Sequence, residues 1–132
     1  MRVGRAVVAV GDQDAAIDWY GRALGFAVLF DGEAFPGFRA THVGPGAAAE
    51  PGVWLMPRLR DGATTDDGGA GGHEEAEPLL VLFSDDLDAD AERLVRSGAP
   101  PHRGPEGAPG SRSLHVRDPW GNVIVVVETP RE

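Results

Sequence analysis

The chain of 132 residues contains no cysteine and no lysine; all 12 of its basic residues are arginine, and Tyr20 is the one tyrosine. A disulfide framework, a zinc knuckle, a thiol nucleophile and a lysine Schiff base all need residues that are missing. Positive charge is also scarce: 21 acidic residues leave a formal net charge of −9, which argues against a nucleic-acid or anionic-membrane partner. Long apolar runs are absent as well. Ala6–Val10 stops at Gly11-Asp12 after five residues, too short for an export signal or a membrane span, so a cytoplasmic protein is expected. Hydrophobic residues make up 42% of the chain, enough for one core in a chain of single-domain length.

Glycine and proline together account for 30 of the 132 residues, which predicts many turns. Arg5–Val10 is short, β-branched and closed by Gly11-Asp12, the pattern of a strand. Ile17, Tyr20 and Leu24 recur at helical spacing between a capping aspartate and the stop at Gly25. Short strands are expected at Phe26–Phe30, closed by Asp31-Gly32, at Phe38–Val43 and at Val53–Met56; Glu33 is left in a loop. Residues 58–78 are rich in glycine and acid, hold one large apolar residue, and read as a flexible linker. Past it the order restarts. Leu79–Phe83 reads as a strand, and Asp86–Ser97 as a helix with Leu87, Ala91, Leu94 and Val95 on its apolar side. After a Pro/Gly-rich stretch come strands at Ser113–Arg117 and Val123–Glu128, flanking a turn at 118–122.

A shift of 74 positions places Val7 on Val81, Asp12 on Asp86, Asp14 on Asp88 and Ala15 on Ala89. The order strand, helix, further strands therefore appears twice and is read as an internal βαβββ duplication and an α+β fold. The expected organisation is a single domain, residues 1–132, built of modules 1–57 and 79–132 with the linker between them. Each module alone would leave one sheet face bare, so the two must pack together or against a second chain.

Two segments resemble the vicinal oxygen chelate superfamily, which includes glyoxalase I, extradiol dioxygenases and bleomycin-resistance binding proteins. Val10-Gly11-Asp12, then Ala15-Ala16-Ile17-Asp18-Trp19-Tyr20 and Leu24-Gly25-Phe26, is similar to its first strand-helix signature. Arg117-Asp118-Pro119-Trp120-Gly121-Asn122 before an apolar strand resembles its last hairpin. The resemblance implies a glyoxalase-like fold, with the two modules forming a curved mixed sheet around a concave cleft. It also implies four metal-ligand positions in catalytic members, which fall here on Arg5, Trp54, Leu79 and Val125, with Val123 and Val127 as neighbours of the last. None offers a metal ligand, and a permanently cationic arginine would repel the ion, so no metal and no other cofactor is expected.

The candidate ligand surface is instead apolar and aromatic. Strand alternation puts Arg5 and Val7 on one face of the opening strand, Leu79, Val81 and Phe83 on its counterpart, and Trp54 with Met56 on the fourth strand. Val125 lies on the last strand, with Phe38, His42, His115 and the turn residue Trp120 completing the candidate set. Phe30 and Phe35 are possible extensions of undecided direction. Arg5 is expected either to anchor a ligand or to pair with a surface carboxylate, and Trp54 either to stack on a ligand or to belong to the core. His42 and His115 are a possible acid and base; the alternative is ordinary hydrogen bonding on a strand. Glu128 and Glu33 show no partner and are expected to be solvated, and His73-Glu74-Glu75 sits in the linker.

The expected function is a metal-independent homodimer that binds and sequesters a hydrophobic aromatic natural product or antibiotic, with no catalytic residue. The alternatives are a superfamily enzyme, a lyase, isomerase or dioxygenase of natural-product metabolism using His42 or His115, and an accessory domain that only dimerises.

Overall fold

The computed structural model describes residues 1–58 and 77–130. The expected linker and His73 fall almost wholly outside these. The chain divides into two compact units, Met1–Leu59 and Arg60–Glu132, and each repeats the same order of elements, as the duplication requires.

In the first unit β1 (Arg5–Val10) leads into α1 (Gln13–Leu24), then β2 (Ala27–Phe35), β3 (Phe38–Gly44) and β4 (Gly52–Pro57). The sheet order is β1-β4-β3-β2, with β1 parallel to β4 and the other pairs antiparallel. Asp12 caps α1 by accepting from the Ala15 backbone N–H, and Gly25, with a φ of 76°, ends it in the left-handed conformation. The helix buries Ala16, Trp19, Tyr20 and Ala23 against Val8, Val10, Val43, Val53 and Leu55. That face is turned from the expected Ile17-Tyr20-Leu24 stripe: Trp19, which 3.6-residue spacing puts beside Tyr20 and Ala23, belongs to the core. The Gln13 side-chain amide ties the helix start to the sheet by donating to the Arg39 and Leu55 carbonyls and to Thr41 Oγ1.

The second strand corrects the expected turn. Asp31-Gly32 does not close β2; the hairpin turns at Pro36-Gly37, where Gly37 has a φ of 81°. Asp31 is held within the strand because Arg39, across the ladder, grips both its carboxylate oxygens at 2.8 and 2.9 Å. Glu33 accordingly lies on β2, opposite Arg39, and not in a loop.

In the second unit β5 (Pro78–Ser84) and α2 (Leu87–Arg96) precede β6 (Arg103–Glu106), β7 (Ser113–Arg117) and β8 (Val123–Glu128). The order β5-β8-β7-β6 reproduces the first sheet, again with the outer pair β5/β8 parallel. Asp86 caps α2 as Asp12 caps α1. Leu87 and Leu94 are buried, whereas Val95, expected on the apolar side, is 59% exposed. An arginine latch recurs too. Arg39 joins Asp14 on α1 to Asp31, and Arg112 joins Asp88 on α2 to Glu128. Glu128 is therefore not a solvated carboxylate: Arg112 donates to it from its backbone N–H and its guanidinium, the shortest contact being 2.8 Å. Among the described residues no helix is long and apolar enough to cross a membrane.

Candidate functional site

Because helix α1 covers one face of the first sheet, the residues that alternate away from it form an open face. Register puts four of them in one row across the strands: Val7 on β1, Trp54 on β4, His42 on β3 and Phe30 on β2. The ring centroids of His42 and Trp54 are 5.0 Å apart and those of His42 and Phe30 5.5 Å. Phe30 thus joins the candidate set, a position that strand alternation alone left undecided because β2 carries a register shift between Val28 and Phe30. Met56 shares the face, next to Ala9. Phe38 is on it as well, but at the hairpin tip, stacked on Phe35 at 4.7 Å and 10°.

Arg5 pairs with no carboxylate among the described residues. Its Nε donates to His42 Nδ1 at 3.0 Å, and its terminal nitrogens donate to the carbonyls of Gly4, Ala48 and Glu50 at 2.8 to 2.9 Å. A guanidinium engaged in this way has little left for a ligand, and its contacts are carbonyls and an imidazole in place of a surface carboxylate. What it does is fix His42. Since Arg5 only donates, Nδ1 must present its lone pair, and the proton of the neutral ring is on Nε2. Burial, and then the Arg5 charge, hold the His42 pKa below its ordinary 6.5, which keeps the ring neutral near pH 7. Nε2 is buried without a hydrogen-bond partner among the described residues, and so is Nε1 of Trp54.

The open face of the second sheet has the same plan with different side chains. Val81, Val125, His115 and Arg103 form the row that corresponds to Val7, Trp54, His42 and Phe30. Thus His42 and His115 occupy equivalent places in the duplication, which a constant shift of 74 misses by one residue. Leu79, Val81 and Phe83 are 57, 57 and 67% exposed, and Val7 in the first unit is 60% exposed. Val125, by contrast, is nearly buried within its row. The ring of His115 lies 6.0 Å from that of His102. Burial lowers the pKa of both, helped by the charge of Arg103 for His115 and of Arg117 for His102. Trp120 is half-buried in the β7–β8 turn, where its backbone N–H donates to the Asp118 carboxylate.

The side chains at the family's ligand positions do not fit a divalent metal. Arg5 is a cation that also consumes the His42 lone pair, Trp54 has only a donor, and Leu79 and Val125 are hydrocarbon. Among the described residues no three His, Asp or Glu side chains gather where one ion could take them.

Residues 2–126 match the model of the Glyoxalase/Bleomycin resistance protein/Dioxygenase superfamily, and the chain belongs to that superfamily. Among solved structures it is similar to UcmS2, with a TM-score of 0.79, 26% identity and coverage of 96% of this chain and 97% of that one. TnmS3, an antibiotic binding protein from Streptomyces sp. CB03234, matches with a TM-score of 0.69 at 28% identity, covering 97% of each chain. A glyoxalase/bleomycin resistance protein from the same organism is 30% identical with a TM-score of 0.69, covering 96% of this chain and 99% of the other. A search of curated proteins returned no match.

Proposed function

We propose that this protein is a cytoplasmic, metal-independent homodimer that binds and sequesters a flat, largely hydrophobic aromatic natural product and releases it unchanged. The observation behind this reading is the open-face row of Val7, Trp54, His42 and Phe30, with two π-faces beside an imidazole in van der Waals range. Offset or tilted stacking on such rings contributes ~0.5–1.5 kcal/mol per pair beyond area burial. Leu79, Val81 and Phe83 are exposed apolar side chains of the second unit, and a second copy of the chain would cover apolar area that a lone protomer leaves wet. The similarity to TnmS3, described as an antibiotic binding protein, supports the same class of ligand.

The test is a thermal-shift screen of the intact chain against aromatic antibiotics, bleomycin included, followed by mass spectrometry of the recovered compound. A ligand at 100 times its Kd adds ~2.7 kcal/mol of stability, and it should return with its mass unchanged. Recovery of an altered compound would overturn sequestration in favour of an enzyme. The close His102–His115 pair, both held neutral near pH 7, favours His115 as the base in that case, and His115→Gln would then abolish turnover. His42 is the weaker candidate for a base, because its lone pair already accepts from Arg5.

A further inference from the structure

Buried N–H groups without a partner are rare in folded proteins, because a donor cut off from water loses a hydrogen bond it would otherwise make. Here two without a partner among the described residues occur on adjacent rings of one row, His42 Nε2 and Trp54 Nε1. Both are donors by necessity. Indole nitrogen has no available lone pair, and the Arg5 Nε–H facing Nδ1 assigns the His42 proton to Nε2. The pair is also built to stay. Arg5 is itself fixed by the carbonyls of Gly4, Ala48 and Glu50, so His42 cannot exchange its tautomer without breaking the contact that orients it.

We propose that these two N–H groups are the specificity determinant of the ligand site, selecting planar aromatic compounds whose edge carries hydrogen-bond acceptors, carbonyl oxygens above all, over hydrocarbons of the same shape. The proposal rests on the binding role given above and narrows it. Neither nitrogen is reached by water, so an acceptor arrives only where a covering side chain moves aside, and it then gains a bond without first stripping water from the donor. The local chemistry opposes the attraction for a cationic ligand that a net charge of −9 exerts at long range. A fixed guanidinium and two N–H donors disfavour a cation or a donor at this point, so the acidic character of the whole chain does not set the preference of the site.

The experiment compares 9-fluorenone with fluorene, two planar tricycles that differ by one carbonyl, in equilibrium dialysis against the full-length protein. Fluorenone should bind at least tenfold more tightly. Trp54→Phe, which keeps an aromatic ring but removes the N–H, should bring the ratio towards one, fluorenone losing more affinity than fluorene. An independent readout needs no substitution. The three tryptophans give three indole N–H signals in a 15N-labelled sample; that of Trp54 should exchange slowly with water and move downfield with fluorenone but not with fluorene. If both compounds bind equally and the signal stays in place, the selectivity is overturned while the binding role stands. If neither binds, the binding role at this row fails and the selectivity with it.

Discussion

Arg5 decides where His42 keeps its proton, and this can be measured on the ring itself. Removing the guanidinium in Arg5→Leu takes away both the Nε–H that occupies Nδ1 and the charge that opposes protonation. The His42 pKa should rise towards 6.5 in an NMR titration, stopping short of it because burial remains the larger cause. An unchanged value would mean the contact is not held in solution. Two neighbours on β4 give a second contrast, since alternation sends Leu55 into the core and Trp54 to the open face. Leu55→Ala should cost ~2–5 kcal/mol in denaturant unfolding, as cavities of that kind do. Trp54→Ala should cost clearly less and weaken aromatic ligands instead. Equal destabilisation by the two would identify Trp54 as packing.

At the scale of elements, the helices and central strands were legible because their signals are local: an aspartate cap, 3.6-residue spacing, a glycine stop. What was missed depended on partners distant in sequence. Asp31-Gly32 looks like a turn until Arg39 is seen to claim Asp31, and Glu128 looks solvated until the 112 backbone and side chain fold onto it. The candidate face was readable by alternation from Val7, Trp54 and Val81, but Phe30 was not, since one register shift reverses a whole strand. The ion pairs also set an acid dependence. Arg112 lowers the Glu128 pKa below the ordinary 4.5, so the unfolded chain binds this proton first, and the stabilisation is present above pH 4.5 and lost as pH falls through the lower native value. Glu128→Gln should flatten that limb of the stability-pH curve. The three lowered histidines act the same way at higher pH: His42, His102 and His115 take up protons more readily in the unfolded chain, so their share of the stability is full above about 6.5 and declines on acidification. Unfolding midpoints between pH 8 and 5 check this, and a curve flat across that range would contradict it.

For the whole molecule, belonging to a superfamily that hosts both enzymes and binding proteins fixes the scaffold and leaves the chemistry to side chains. Those on the two open faces are mostly apolar, Val7, Phe30, Leu79, Val81 and Phe83 among them being solvent-exposed, and the proposed dimer is the arrangement that would cover these. Sedimentation equilibrium should return twice the 13.9 kDa chain mass at micromolar concentration, and Phe83→Asp should shift the population towards monomer. A monomer at all concentrations would exclude the dimer. The parallel pairing of each sheet has a further result, in the order of synthesis. Arg5 meets Gly52 and Pro78 meets Val123, so in each unit the first strand made waits for the last before its edge is closed. Contacts of such long separation form slowly. Once residue 57 has emerged from the ribosome the first sheet can close, whereas until residue 123 and those after it emerge β5, with Leu79, Val81 and Phe83, remains an unpaired apolar edge. The vulnerable interval for aggregation during translation is therefore the second half of the chain, and it ends only when β8 has emerged to pair with β5.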